Sequence, residues 1–401
     1  MAGSGSELLR SLRGVTVVAL EHAIAAPFAT RQLADLGARV IKIERPGSGD
    51  FARAYDGRVR GLSSHFVWTN RSKESLTLDL KQPSAAALLH RLVMEKADVV
   101  VQNLAPGAAA RLGLSWPVLS ERKPGLILCD ISGYGNDGPY RDRKAYDLLI
   151  QSEAAYLSVT GTAAEPAKSG NSIADIAAGM YAYSNILAAL LERGISGRGR
   201  HIDVSMLEAL TEWMGFPMYY AFDGADPPPR AGASHATIFP YGPFAVGDGS
   251  SVMLGVQNER EWQAFCVQVL QMPDLAAHPD YARNAARNAA RDPLRRLIED
   301  CFARLDAATV TERLALARIA HARVNDLADL WAHPQLRARK RWSQVDTEHG
   351  PVPALQPPGS PTDQAPRMDA VPALGQHTDA ILAELGVTPH QIDALRDARA
   401  I

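Results

Sequence analysis

Cysteine is scarce in this sequence. Cys129, Cys266 and Cys301 are the only three in 401 residues, far apart and without a C-x-x-C pair. That excludes a disulfide framework and a cysteine-rich metal site, and it suits a reducing cytoplasm. No H-E-x-x-H or comparable pairing occurs among the 11 histidines, so no metal centre is expected. A surplus of either charge is missing too: the formal net charge is -2, too small to draw the chain onto nucleic acid or an anionic membrane. The arginines of "YARNAARNAARDPLRRL" (281–297) form a local basic run, which on a helix reads as a solvated face. No run reaches the roughly 18 apolar residues of a membrane span. The opening "MAGSGSELLRSLRG" lacks the apolar core of a signal peptide. Glycine is absent where a dinucleotide site needs it, because the turn "EHAIAAPFAT" after the first strand contains none. Neither a G-x-x-x-x-G-K-[ST] loop nor a G-x-S-x-G elbow occurs. These absences leave a cytoplasmic protein that handles something small, with no nucleic-acid or membrane partner and no permanently bound cofactor.

What is present is enough apolar sequence for a sizeable core. The chain is 46% hydrophobic and 21% charged, and its length favours two lobes over one. Short apolar runs alternate with helical patterns in the first third. "VTVVAL" (15–20), "ARVIKIE" (38–44), "DVVVQN" (98–103) and "GLILCDIS" (125–132) read as strands. "APFATRQLADLG" (26–37) and "SAAALLHRLVMEKA" (84–97) read as helices, the first with Gly37 as its C-terminal cap. This succession predicts an α/β fold whose large lobe, residues 1–207, is a doubly wound, Rossmann-like parallel sheet. Residues 208–244 read as a linker carrying the triple proline of "DGADPPPRAGASHATIFPYGPF". A smaller α+β lobe follows over 245–321. Residues 322–401 form a second linker and a C-terminal return to the large lobe, with two short helices at its end.

Ligands of open parallel sheets bind beyond the carboxyl ends of the strands. His22 follows the first strand, Arg45 the second and Asn103 a later one, while Arg111, Lys144 and Tyr146 come soon after. Each alone reads as a solvated charge or a cap. Together, cations and amide donors at one sheet edge suit a phosphate-bearing ligand. The other notable feature is "SGNSIADIAAGMYAYSNILAALLERG" (169–194), where Asp175 meets no second acid or base until Glu192. Asp175 either caps a buried helix, with Ser172 as a rival cap, or does chemistry that needs one carboxylate in a dry place. Gly170 and Gly179 beside it suggest close approach by a substrate or a neighbouring chain.

Six ordered blocks carry a resemblance. They are "GVTVVALEHAIAAPFATRQLADLGARVIKIERPGSGD", "NRSKESLTLDLK" (70–81), "ADVVVQNLAPGAAARLGL" (97–114), "SGYGNDGPYRDRKAYDLLIQ" (132–151), "GNSIADIAAGMYAY" (170–183) and "SGRGRHIDVSM" (196–206). Across essentially its whole length the sequence resembles the class III CoA-transferases, the family of carnitine, bile-acid and formyl-CoA transferases. The resemblance implies that Asp175 is the catalytic nucleophile. It also implies CoA contacts at Ala23, Ile24, Arg45, Leu78, Asn103, Leu104, Arg111, Lys144 and Tyr146, with Leu104 standing where the family commonly has phenylalanine. CoA thioesters and small carboxylic acids would be the substrates, and an interlocked homodimer the assembly.

The family also contains α-methylacyl-CoA racemases, whose histidine base aligns with Tyr146. A phenol with an ordinary pKa near 10 is a poor base at neutral pH, so this departure favours transfer over racemisation. No counterpart of the glycine-rich loop of formyl-CoA transferase follows Gln257. "KAYDLLIQSEAAYLSVTG", "ASHATIFPYGPF" and "NEREWQAF" look most like members that move CoA from succinyl-CoA to itaconate, mesaconate, citramalate or malate. A second substrate carboxylate needs a cation or donors, for which Arg230, His235 and Tyr241 are candidates besides Tyr146. An α-methylacyl-CoA racemase and a non-catalytic acyl-CoA-binding protein are the alternative functions.

Overall fold

The computed structural model describes residues 10–360 and 365–401. Met1–Leu9, which open the stretch read for a signal-peptide core, and positions 361–364 of the proline-rich tail lie outside them. Two compact units are present: residues 10–154, 169–214 and 335–401 form the first, and 155–168 with 215–334 form the second.

In the first unit β1 (Thr16–Leu20), α1 (Ala25–Asp35), β2 (Arg39–Glu44), α2 (Ser64–Asn70), β3 (Lys73–Thr77), α3 (Pro83–Lys96) and β4 (Val99–Gln102) follow one another. Then come α4 (Ala108–Arg111), α5 (Trp116–Arg122), β5 (Ile127–Ser132) and α6 (Asp147–Glu153). After α7 (Tyr156–Val159), which counts with the second unit, α8 (Ile173–Ser196), β6 (His201–Ser205) and α9 (Met206–Trp213) complete the series. The six strands are all parallel, in the order β3-β2-β1-β4-β5-β6. The doubly wound sheet expected from the sequence is therefore present. Two of its strands were not legible. "KESLT" opens on two adjacent charges, Lys73 and Glu74, and "HIDVS" carries polar His201 and Asp203 at alternate positions, so pairing rather than hydrophobicity defines both.

Alternation along the strands gives the sheet two different faces. One presents Val18, Leu20, Ile41, Ile43, Leu76, Val100 and Leu128 to Leu89, Leu92 and Val93 of α3. The same cluster takes in Ile381, Leu382, Leu385, Val387 and Ile392 from the helices Thr378–Glu384 and Pro389–Asp397. Thr378 ties this cover down: its hydroxyl accepts from the Thr77 N–H at 3.0 Å, across 301 positions of sequence. The opposite face carries α1 and α8, which lie against each other. Gly179 makes that approach possible, because a Cβ there would come within 2.7 Å of the Ala25 carbonyl oxygen and 3.0 Å of Phe28. Its close neighbour is the chain's own α1, whereas a Cβ on Gly170 would meet nothing within 4 Å. α8, at 24 residues and mean hydropathy 1.3, has the length and apolarity of a membrane span. Its Ala174, Ala177, Ala178, Gly179, Ala182, Ile186 and Ala189 are buried in the first unit.

The second unit has an antiparallel sheet of β7 (Tyr241–Ala245), β8 (Ser251–Gly255) and β9 (Ala320–Arg323). Trp262, Phe265, Ile298, Phe302 and Leu314 fill its core. Its extent differs from the sequence expectation. The helical run read over 147–161 breaks at Ala155, whose φ is 58°, and residues 155–168 pair with the segment expected as linker. Arg230 Nε donates to the Thr162 carbonyl at 2.8 Å, and the Gly232 N–H to that of Gly161 at 2.7 Å. The basic run 281–297 is likewise not a solvated face throughout. Arg287 is fully buried and donates to the carbonyls of Phe239 and Tyr281, while Arg295 lies over Phe244 and donates to the Pro243 carbonyl. These guanidinium groups satisfy backbone carbonyls around β7 and, at Tyr281, ahead of the arginine run's first helix.

Gly179→Ala is expected to lower stability by about 1–3 kcal/mol, since a backbone oxygen cannot yield as a side-chain tip does. A thermal midpoint equal to that of the parent chain would show that α1 and α8 have room to spare.

Candidate active site

The order of strand addition reverses between β1 and β4, and the turn after β1 sits at that switch point. Its shape is held by side chains instead of glycines. The Asn103 amide brackets His22: Oδ1 accepts from the His22 N–H at 2.9 Å, and Nδ2 donates to the His22 carbonyl at 2.9 Å. Ala23 is in the left-handed region at φ 60°, and its N–H donates to Asp50 Oδ1 at 3.1 Å. Asp50 also accepts from the Ala52 N–H at 2.9 Å and from Lys42 Nζ at 2.8 Å. Glu21 in turn accepts from Lys73 Nζ at 2.7 Å and from the Thr30 hydroxyl at 2.6 Å, and lies 3.4 Å from Lys42 Nζ. Glu21, Lys42 and Asp50 are fully buried and Lys73 nearly so.

This network has a cost that its own pairing offsets. Burial, with the second ammonium of Lys42 close by, lowers the Lys73 pKa to about 7, while Glu21 holds it back. Glu21 stays below the ordinary carboxylate range: burial pushes it up, but Lys73 and Lys42 outweigh that. Beside it, Glu44 accepts from Arg53 and from Ser75, which bring it down to about 2 against the opposing effect of burial. None of Glu21, Lys42, Lys73 or Asp50 is among the residues singled out from sequence. The available signal was "VIKIE", a lysine inside an apolar strand.

Around this turn the structure gathers most of the expected CoA contacts. His22, Ala23, Ile24, Arg45, Leu78, Asn103 and Leu104 follow the carboxyl ends of the four neighbouring strands β1, β2, β3 and β4. Their roles are not alike. Ile24 and Leu78 are buried in the core, and both side-chain groups of Asn103 hold the backbone of His22. Leu104 is half-buried, its N–H donating to Gln102 Oε1 at 2.8 Å. Arg45, Arg111 and Lys144 are exposed, with no ion pair to them among the described residues. His22 stacks on Phe51 at 5.4 Å, and Tyr55 continues this aromatic ledge. Burial pushes the His22 imidazole below its ordinary pKa, so it is neutral at neutral pH.

Asp175 stands third in α8 and is half-buried. It is not a cap, and Ser172, at the N-cap position, makes no side-chain capping bond either. Asp147 performs that task from α6. Its Oδ1 accepts from the Ala174 N–H at 2.8 Å and from the Asp175 N–H at 3.3 Å. Gln151 fixes Asp147 from the next turn, Nε2 donating to Oδ2 at 2.6 Å, while Gln151 Oε1 accepts from the Ser169 N–H at 2.9 Å. Asp175 thus has an acidic neighbour that linear sequence hides, 28 positions away. Burial first, and Asp147 second, raise the Asp175 carboxyl to about 7. The helix start does not offset this, because the N–H groups there already serve another carboxylate. The Tyr55 phenol is pushed upward by burial and by the negative fields of Asp50 and Asp175, with Tyr146 contributing. Asp175, Asp147, Tyr146 and Tyr55 thus lie within electrostatic reach of one another.

The chain matches known proteins over most of its length. The sequence model of CoA-transferase family III matches residues 12–378. The chain belongs to that family. A succinate–glutarate CoA-transferase of Agrobacterium fabrum is 34% identical, over 93% of this chain and 95% of its own length. A succinyl-CoA:mesaconate CoA-transferase of Haloarcula hispanica is 32% identical, over 94% and 97%. The crystal structure of a CAIB/BAIF family protein from Brucella suis superposes with a TM-score of 0.82 at 33% identity, covering 94% of this chain and 99% of that one.

This family III CoA-transferase keeps three further candidates in its second unit, where each has local work. Arg230 holds the carbonyls of Thr162 and Ala163, at 2.8 and 3.0 Å. His235 stacks on Tyr241 at 5.3 Å, and its Nδ1 accepts from the N–H groups of Thr237 and Ile238.

A carboxyl raised on folding makes stability depend on pH. Between about pH 4 and 7 the unfolded chain gives up the Asp175 proton while the folded chain keeps it, so the penalty grows as pH rises and is complete above 7. Asp175→Asn should accordingly stabilise the enzyme at pH 8, by about 1–3 kcal/mol once solvent screening is allowed for. It should do little at pH 4. Melting curves at both values check this, and an equal shift at the two would place the cause elsewhere.

Proposed function

We propose that this CoA-transferase moves CoA from a short dicarboxylic thioester such as succinyl-CoA to a short dicarboxylate through an enzyme-bound aspartyl-CoA thioester on Asp175. The observation that carries the reading is Asp175 itself, half-buried, near neutrality and within electrostatic reach of Tyr55 in the segment after β2. His22, Ala23, Arg45, Asn103, Leu104, Arg111, Lys144 and Tyr146 would bind or shape the CoA arm, with Ile24 and Leu78 supporting them from the core. The names of the related enzymes support succinyl-CoA as donor and glutarate or mesaconate as acceptor; itaconate and citramalate are short dicarboxylates of the same class.

In the first step an ionised Asp175 oxygen attacks the thioester carbonyl, the C–S bond breaks, and CoA leaves as thiolate with an acyl-aspartyl anhydride in place. The thiolate then attacks the aspartyl carbon, the anhydride C–O bond breaks, and the first acid departs as carboxylate. The acceptor acid runs the same two steps in reverse. One thioester replaces another, so the exchange is near balance, and holding thiolate, anhydride and acid together supplies the effective molarity. The half-buried setting limits hydrolysis of the anhydride.

A carboxyl near 7 also suits proton abstraction, which is what a racemase requires. Tyr146 opposes that reading, because it stands where the second base is needed. Deuterium wash-in at the α-carbon of a branched acyl-CoA, without acceptor acid, would favour it. For assembly, Phe216, Met218, Tyr219 and Phe222 expose large apolar surface on one segment, which supports an interlocked homodimer. Unpaired Cys129, Cys266 and Cys301 suit the cytoplasm.

Incubation with succinyl-CoA should leave a CoA adduct on the peptide containing Asp175, absent from Asp175→Ala. Its rate of formation should rise with pH through about 7, as the carboxylate is freed. A turning-over enzyme with no such adduct by mass spectrometry would sink the mechanism. The same preparation should run as a dimer by light scattering, and a fully active monomer would exclude the interlocked assembly.

A further inference from the structure

The second carboxylate has no assigned part in the reaction. Asp147 could be a cap that happens to be acidic, but three observations bear on that. Its Oδ1 holds the nucleophile's own N–H as well as that of Ala174, so its position fixes the first turn of α8 where Asp175 emerges. The oxygen that is not capping is clamped by Gln151, a fully buried residue whose other amide atom is held by Ser169. Asp147 therefore cannot swing away from Asp175 to relieve repulsion. Finally, neither carboxylate has an ion pair to a basic side chain among the described residues, although paired charges abound elsewhere in this unit.

We infer that Asp147 is the positioning residue of the nucleophile, fixing the direction of Asp175 through the first turn of α8 and setting a second carboxylate against it. This rests on the proposed covalent role of Asp175. When the ionised Asp175 becomes an anhydride, its charge leaves with the CoA thiolate. When it becomes the aspartyl-CoA thioester, the charge leaves with the freed acid. Both covalent forms are neutral at Asp175, so each escapes a repulsion that the free carboxylate suffers. The pair favours loading of the enzyme with CoA, and it makes Asp175 a more basic, hence stronger, nucleophile than an isolated surface carboxylate. The remaining groups around the pair are few. Tyr146 precedes Asp147 at the start of α6, and Tyr55 with Asp50 comes from the segment after β2. α1 brings Arg31 and Asp35, which pair with each other and with Arg71. α9 brings Glu208, which is exposed.

The test must move the charge without losing the cap. Asp147→Asn alone sets an amide against the Gln151 amide, donor against donor. Asp147→Asn combined with Gln151→Glu restores every bond, because the new glutamate accepts from the asparagine and still accepts from Ser169, and the charge retreats by one helical turn. Two readouts are taken on the full-length enzyme. One is the pH dependence of the thermal midpoint difference between Asp175 and Asp175→Asn, in the parent and in the double-variant background. The other is the rate of CoA loading on the Asp175 peptide from succinyl-CoA.

In the double variant the thermal titration of Asp175 should move down by about one pH unit, and loading should slow about ten-fold with the concentration dependence on succinyl-CoA little changed. Charge on residue 151 should thus fail to substitute for charge on residue 147. An unmoved titration would overturn the electrostatic role whatever the enzyme does with CoA. A moved titration with loading as fast as the parent's would overturn the catalytic role. If the parent itself shows no adduct, the nucleophile reading falls and this role with it, while the thermal titration still reports the pair.

Discussion

Burying two lysines beneath a ligand loop is costly unless each finds a carboxylate, and that requirement organises the first unit. Lys42 and Lys73 come from adjacent strands on the face that meets α1, and Glu21 and Asp50 reach them from the loops that follow β1 and β2. Removing either partner would strand a charge in the interior, a loss of about 3–5 kcal/mol. The arrangement therefore fixes where the two loops lie relative to each other, which is the job glycines and helix dipoles perform in dinucleotide-binding sheets. Ala23 can adopt a left-handed conformation without being glycine because Asp50 accepts its N–H. Stability and ligand geometry here are one problem.

Around Asp175 the logic is reversed. There charges are left without counter-ions, and the carboxyl rises toward neutrality. The protein pairs its charges beneath the loops proposed to hold CoA and withholds pairing at Asp175, the proposed nucleophile. Sites that do chemistry commonly keep such unfavourable electrostatics, with the rest of the fold supplying the stability that tolerates it.

Much of the fold was legible in the sequence because strand burial leaves uninterrupted apolar runs such as "VTVVAL" and "DVVVQN". β3 and β6 escaped because each has too few apolar residues, KESLT one and HIDVS two, to form such a run. Asp175 was legible as a singular carboxylate, and the segments after β1, β2 and β4 as the carboxyl edge of a parallel sheet. What could not be read was proximity. Asp147 and Asp175 are 28 positions apart, and only the crossing of α6 and α8 brings them together. The same holds for Asp50 and Ala23, 27 positions apart, and for Asn103 and His22, 81 apart. The arginines of 281–297 were misread for a related reason, since composition shows charge but not the backbone carbonyls awaiting it.

The cover over the α3 face of the sheet has a consequence for how the polypeptide comes into being. Val18, Leu20 and Ile41 belong to the earliest strands made on the ribosome, yet Ile381, Leu382 and Ile392 share their core. At a synthesis rate of about 5–20 residues per second, that interval amounts to many seconds in which part of an apolar sheet surface has no mate. Nascent chains of this enzyme should thus be natural clients for holding chaperones. Abundance in the cell would then depend on how fast and how faithfully residues 378–397 are made as much as on the finished fold.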